Sequence, residues 1–460
     1  MTAIKQKTTA FLSRYFSCET VSYDKILALF LPLLAENAFA TGFSLINSSM
    51  ISSAGMSALS AVNLVDTYTT VIALFFQGIA TGAGIVVAQY RGARNTQMQQ
   101  RAANLSIVAV TAFALFLAVV SICFRNGVIN LFFGGADEEV LEIARYYMLF
   151  SCISLPLYGF ITAELGVLRG IGEGKIALVI TMINSVVYVL GNVLFIVVLG
   201  LEIKGLLISI TITRIVTSVA CFVVKRKMHS TFAYRLKELF VMDFKLLKRI
   251  ILFGFPVAFE NLLFNGGRLV LQMILVPLGT NSIATYNIAY NIMAFSQIPN
   301  TAMSTTMFTV AGMCMGAGRP EDCKYIYRNV YKFNEVLYTV IAVIILALHT
   351  PITAAFHAEP DMYMDIFWCV LITMAAQIFF HTPSFMTANV MRAAGDVVFT
   401  TIISTASMWI FRVLGSYIFC FVFGWGIIGA YVAMSMDWMA RAIIFPIRFR
   451  RGKWEKMKVI

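Results

Sequence analysis

The sequence predicts an all-α integral membrane protein with twelve transmembrane helices in two six-helix bundles. Three observations predict it. Of 460 residues, 59% are hydrophobic and only 13% charged, with a mean hydropathy of +0.81; a soluble domain carries about 25% charged residues. Apolar stretches recur along the whole chain, each with the roughly 20 residues a helix needs to cross a ~30 Å hydrocarbon core. They lack the strict alternation of barrel strands, which leaves helices as the spanning element. Third, the chain repeats itself, so that its first half predicts its second.

In order along the chain, the spans are expected over 26–50, 57–86, 103–124, 140–164, 176–200, 205–224, 250–277, 281–312, 333–356, 363–390, 397–423 and 426–447. Residues 1–23 hold Lys5, Lys7, Arg14 and Glu19 among polar residues, with no apolar signal core, so the first span is expected to act as its own targeting signal. Alternate connections carry Arg91, Arg94 and Arg101, then Arg169 and Lys175, then the basic stretch 225–248, then Arg319, Lys324, Arg328 and Lys332, then Arg392. The tail 448–460 is basic as well. Basic residues gather on the cytoplasmic side, which places both termini there and the poorly basic SSAG, GGADEE, GLEIKG, PLGTN and HAEPDMYMD stretches outside. The net charge of +12 is then explained by loops lying against anionic lipid, with no nucleic-acid partner required.

The repeat sets the organisation. FPVAFEN at 255–261 answers LPLLAEN at 31–37, pairing Pro256, Glu260 and Asn261 with Pro32, Glu36 and Asn37 at an offset of 260 − 36 = 224. The same offset carries Gly42 to Gly266, Asn63 to Asn287 and Gly92-Ala93 to Gly316-Ala317, while VLRGIGE at 167–173 answers VMRAAGD at 390–396 at an offset of 223. Residues 24–224 thus form one lobe and 249–447 the other, joined by the basic linker 225–248. Six spans return the chain to its starting side, so the lobes share one orientation and a pseudo-two-fold axis along the membrane normal is expected between them. Two such bundles enclosing a cleft suit a carrier working by alternating access.

Charges inside spans are the candidates for chemistry. Glu36 follows Lys25 by eleven residues and Glu260 follows Arg249 by the same number, roughly 16 Å along a helix, which predicts mid-membrane depth. A carboxylate there costs about 2.5–3.5 kcal/mol and should face a cleft or a partner. Each lies four residues beyond a proline that withholds a backbone donor, so a bend is expected beside it. Arg214, Arg268 and Arg412 also fall within spans and are the candidate charge partners; with them, anionic or zwitterionic substrates stay open. Asp66, whose repeat mate is Tyr290, is a cleft candidate, and His381 a titratable one. Glu164, Arg169 and Arg392 sit at helix ends and read as gate or loop residues, while Asp437 and Arg441, four apart, should pair. The eight cysteines are scattered without metal-ligand spacing and read as packing.

The stretches GMSALSAVNLVDTYTTVIALFFQGIATGAGIVVAQYRGARN, LGTNSIATYNIAYNIMAFSQIPNTAMSTTMFTVAGMCMGAGRP, LRGIGE and MRAAGD resemble, in order and over nearly the whole chain, the multidrug and toxic compound extrusion (MATE) transporters of the MOP flippase superfamily. The resemblance implies two six-helix lobes around a V-shaped cleft and export of organic, often cationic, compounds in exchange for H⁺ or Na⁺. It also implies departures. The aspartate that many members carry in the first helix is here Asn47, that of the fifth helix Asn192, and a tenth-helix acidic position falls on His381. Glu36 and Glu260 therefore become the first candidates for coupling or substrate charge. The expected protein is a secondary antiporter of the cell membrane with a coupling ion and no other cofactor, working as a monomer on small molecules among membrane lipid. A lipid-linked saccharide flippase of the same superfamily is the alternative. The sequence holds no HExxH, no Ser-His-Asp candidate and no phosphate-cradling glycine loop, so neither catalytic residues nor a metal site are expected.

Overall fold

The computed structural model describes residues 13, 15–51, 56–133, 138–230, 232, 243–356, 358–457 and 459–460. Among them the regular structure is helical throughout. The principal helices are α1 (Tyr23–Ile51), α2 (Met56–Gly92), α3 (Thr96–Cys123), α4 (Glu138–Ile153), α5 (Leu155–Ile171), α6 (Gly174–Asn192) and α7 (Glu202–Lys227) in the first half. The second half supplies α8 (Phe244–Leu275), α9 (Thr280–Gly316), α10 (Pro320–Ala347), α11 (Tyr363–Ala376), α12 (Thr382–Ala393), α13 (Val397–Ser407) and α14 (Gly426–Arg450). Nine of the described helical segments are long and apolar enough to cross a membrane, and the pair α4–α5, bent by 48°, makes ten. The repeat mates of α1 and α2, namely α8 and α9 with 32 and 37 residues, bring the total to six spanning segments per half.

The repeat holds element by element. Helices α2 and α9 both have 37 residues, and α3 and α10 both have 28, each starting 224 residues apart. Asn95 caps α3 by accepting a hydrogen bond from the Met98 N–H at 3.0 Å, whereas Pro320 opens α10 with its φ preset. Gly172 ends α5 at φ 89° and its mate Gly395 ends α12 at φ 104°, a left-handed turn that favours glycine. The break between α4 and α5 at Ser154 is matched by the π-helical turn Gln377–His381 between α11 and α12.

The helices differ from the expected spans chiefly at their polar ends. The ninth span was expected at 333–356, but α10 starts at Pro320 and ends at Ala347. Lys324, Arg328 and Lys332 thus ride on a helix that runs past its apolar segment, and Arg101 does the same on α3. Hydropathy marks where lipid begins, not where backbone hydrogen bonding begins. The first helices run unbroken through Pro32 and Pro256.

The chain forms two compact units, one of residues 35–91 and 95–258, the other of residues up to Leu34, 92–94 and 259–460. This differs from the lobe boundaries read from the repeat. Helices α1 and α8 each change unit two residues after their prolines, between Leu34 and Ala35 and between Ala258 and Phe259. Packing explains it. In the first unit the start of α8 lies against the glycine face of α2: a Cβ on Gly78 would fall 2.3 Å from Ala258 Cα, and one on Gly82 2.4 Å from Gly254 N. Helix α5 meets α2 equally closely through Gly166 on Ala80 and Gly170 on Gly84.

In the second unit Ile26 and Leu29 of α1 join a core with Met303, Met307, Met386 and Met391. The segment before α1 is tied to the same unit, where Thr20 gives Asp322 Oδ2 two hydrogen bonds (backbone N–H, 3.0 Å; Oγ1, 2.5 Å) and Asn329 donates to the Tyr15 carbonyl at 2.7 Å. The expected basic tail folds back, with Trp454 fully buried, stacked on Phe449 and donating to its carbonyl at 2.8 Å.

Candidate functional site

Each half holds its glutamate in a clasp made of the same three residue types. In the first unit Arg169, in the last turn of α5, pairs through Nη2 with Glu36 Oε1, and Thr181 of α6 donates to the same oxygen at 3.0 Å. Glu36 Oε2 is buried without a partner. In the second unit Arg392, in the last turn of α12, pairs with Glu260 at 2.6 Å, and Thr401 of α13 donates to Glu260 Oε2 at 3.1 Å. Asn389 Oδ1 (3.2 Å) and Thr400 Oγ1 (3.3 Å) accept from the rest of that guanidinium. The glutamates and arginines keep the repeat, whereas the threonines lie 401 − 181 = 220 residues apart, one turn off register. The same chemistry is kept while the residue that completes it shifts.

One expectation is corrected here. The glutamates are held by Arg169 and Arg392, the helix-end residues, and not by Arg214, Arg268 or Arg412. Thr181 lies seven residues into α6, about 10 Å from the helix start.

The other in-span arginines have their own partners. Arg412 and Arg441 both bind Asp437 Oδ2, at 2.8 and 2.6 Å, and Ser407 also donates to Asp437. All three charged groups are buried, which leaves two guanidiniums on one carboxylate, enclosed by the rings of Phe264, Phe385 and Trp438. Arg214 donates to Ser154 Oγ and to the Ser151 carbonyl at 3.3 Å, and lies 5.1 Å over the Tyr158 ring. Arg268 lies 5.0 Å over Tyr290, the repeat mate of Asp66. Asp66 accepts from the Tyr147 hydroxyl at 3.1 Å and interacts electrostatically with Arg214.

Of the remaining candidates, Glu164 is fully buried and paired with Lys225 of α7, a position inside the bundle and not in a loop. Asn192 is buried where α6 passes into the π-helical turn Val193–Val198. Asn47 lies on α1, and its side chain falls outside the described residues. His381 is buried; its Nδ1 faces Asn300 Nδ2 and the Tyr338 hydroxyl, both at 2.8 Å. With those two as donors, the ring proton is assigned to Nε2.

Sequence reasoning passed over the cluster that His381 belongs to. Asn334 Nδ2 donates to Asn300 Oδ1 and to Thr382 Oγ1, both at 2.8 Å, and Glu335 on the next position of α10 lies among Thr382 and Tyr331. The signal was in the repeat: the mates of Asn300, Asn334 and Glu335 are Phe76, Val110 and Thr111, so two amides and a carboxylate stand where the other half has two apolar residues and a threonine. Cys18 packs against the core of the second unit, as expected, and the fold also brings it to Cys314, with the Val21 N–H donating to its sulfur at 3.3 Å. Among the described residues no group of three or more His, Cys, Asp or Glu is arranged to hold a metal ion.

Comparison with known proteins agrees with this layout. The MatE family matches residues 32–194 and 256–418, two stretches that each open on the proline of the clasp helix. The probable multidrug resistance protein NorM of Thermotoga maritima is 22% identical over 444 residues, covering 95% of this chain and 94% of that protein. An FAD transporter of Shewanella oneidensis is 21% identical over 358 residues, covering 76% and 78%. A crystal structure of MATE in complex with MaL6 superposes with a TM-score of 0.86 at 19% identity, over 94% of this chain and 97% of that one. That likeness shows the fold.

Proposed function

This chain belongs to the MatE family of multi-pass membrane transporters, and on that premise we propose that it is a cation-coupled antiporter. It exports organic compounds across the cell membrane in exchange for H⁺ or Na⁺, with both termini cytoplasmic and its two lobes alternating access. One observation carries the reading. In each half the clasp glutamate is the second residue after the point where its helix leaves one compact unit for the other.

A charge pair at that position responds to any motion that moves the first half of the helix against the second. It also responds to a proton or substrate charge that competes for the carboxylate. Glu36–Arg169 and Glu260–Arg392 are therefore assigned as charge-sensitive latches of the transport cycle, with Arg169 and Arg392 as their gate-side members. The proline four residues earlier leaves one backbone carbonyl of the preceding turn without its helical donor, which lowers the cost of bending there.

Substrate charge has two readings. The resemblance to multidrug extrusion transporters, which implies export of often cationic compounds, favours organic cations. The buried pair of arginines on a single Asp437, together with the FAD transporter among the relatives, favours an organic anion as the second. The test is transport in liposomes under an imposed pH or sodium gradient, with a cationic dye and FAD as probes. Glu36→Gln and Glu260→Gln are each expected to abolish gradient-driven export. Unimpaired export by both variants would sink the latch assignment, and export indifferent to either gradient would sink antiport.

A further inference from the structure

The internal repeat provides a control that most proteins lack: for each polar residue in one half, the other half shows what the fold accepts in the same place. Around the middle of α10 the halves part company. Asn300, Asn334, Glu335, Tyr338, His381 and Thr382 have as mates Phe76, Val110, Thr111, Ala114, Tyr158 and Gly159. The mates occupy the same neighbourhood. Phe76 and Tyr158 are in ring contact at 6.2 Å, as Asn300 and His381 are in hydrogen-bond contact, and a Cβ on Gly159 would meet Ala114, the Val110 carbonyl and Phe76. A largely apolar filling, with Thr111 and Tyr158 as its polar members, therefore satisfies this packing, and a buried polar set costs stability unless every member is bonded. Packing alone does not require the polar set.

Within it Glu335 is the acidic member, with side-chain hydrogen-bond contacts to Thr382 and Tyr331. Its Oε1 is buried without a hydrogen-bond partner, and among the described residues no ion pair reaches it. Glu36 and Glu260, by contrast, each face an arginine. The groups around Glu335 are Tyr327, Tyr331 and Tyr338 of its own helix and Thr382 of α12, with His381 beyond Tyr338. The two cations acting on His381, Arg412 and Arg441, are taken up by Asp437. Asn334 donates to the oxygens of Asn300 and Thr382, which fixes the cluster around Glu335, and a single proton needs only Oε1.

We propose that Glu335 is the carboxylate that takes up and releases the coupling proton, in a polar chamber lined by Asn300, Asn334, Tyr338, His381 and Thr382. Uptake adds one proton to the buried Oε1 and turns a half-buried carboxylate into a neutral carboxyl; release returns that proton to water, and no other bond is made or broken. The proposal rests on the antiport reading above and commits it to H⁺.

The test is pH-difference infrared spectroscopy of the full chain in liposomes, which reads the carbonyl stretch of a buried carboxyl directly. It is paired with ethidium efflux driven by an imposed pH gradient. Glu335→Gln and Glu335→Thr are expected to remove one carboxyl band and abolish gradient-driven efflux, and Glu335→Asp to retain a shifted band with part of the efflux. Glu335→Thr restores the residue type that Thr111 supplies in the other half, so it is expected to fold; size-exclusion elution checks this. Unchanged bands in both the Gln and Thr variants overturn the proposal, as does a lost band with efflux intact. Wild-type efflux that ignores the pH gradient refutes antiport instead, and the bands still decide whether Glu335 is the protonating group.

Discussion

Replacing Arg392 by glutamine should reveal how strongly the second-half clasp is built. The substitution leaves Glu260, itself buried, with the Thr401 hydroxyl at 3.1 Å as its hydrogen-bond donor and Arg441 as a more distant charge. Exposure decides the magnitude. In the Arg392–Glu260 pair the side chains are 16% and 11% exposed, whereas in Arg169–Glu36 they are 36% and 7% exposed. Removing one partner of a buried pair costs about 3–5 kcal/mol, and partial access of water places Arg392→Gln near the lower end, about 3 kcal/mol. Arg169 is the more exposed partner, so water can take its place beside the Glu36 carboxylate left behind, and Arg169→Gln should cost about 1 kcal/mol, closer to a surface pair.

The double variant Glu260→Gln/Arg392→Gln removes both charges and should recover most of the loss, because the cost lies in the stranded carboxylate. Reversible unfolding in mixed micelles, run as a double-mutant cycle, measures this; the cycle also cancels the Asn389 and Thr400 contacts of Arg392. Equal losses from Arg392→Gln and Arg169→Gln, or a double variant as unstable as the single one, would refute the reasoning.

Two further outcomes are expected. The Cys314 thiol donates to Cys18, and with the Val21 N–H it lowers the Cys18 pKa from its ordinary value to about 7. The thiolate is the reactive form, so alkylation of Cys18 should fall away as pH drops through about 7, and Cys314→Ala should move that midpoint upward; an unmoved midpoint would reject the contact as the cause. Gly78→Ala forces a methyl into the backbone of α8 at Ala258 and should cost about 1–3 kcal/mol as a lowered melting temperature, while Gly127→Ala, with open space around it, should not. Equal melting of the two variants would show that α2 and α8 are not in close contact there.

Much of the fold was legible in the sequence because it depends on local quantities. Apolar runs of membrane length marked the helices, and the 224-residue offset marked the halves; the structure keeps that offset in the lengths of α2 and α9 and of α3 and α10. The clasp glutamates stood out because each is a charge inside an apolar run. Their partners did not, since Arg169 lies 133 residues from Glu36 and Arg392 lies 132 from Glu260. No periodicity joins residues that far apart.

The sequence by itself determined the membrane class, the duplicated architecture and which charges must find partners. Only the tertiary structure decided which arginine answers which glutamate, that α1 and α8 change unit beside their prolines, and that Glu335 sits among Thr382 and Tyr331 without a cation. The physical reason is the same in each case. A helix's own pattern states which of its faces is apolar, but the rotation and sliding of packed helices choose the side chains that meet, and those are set by close contacts such as Gly78 on Ala258. Pairing of buried charge is a property of that packing register, and it appears only when the helices are brought together.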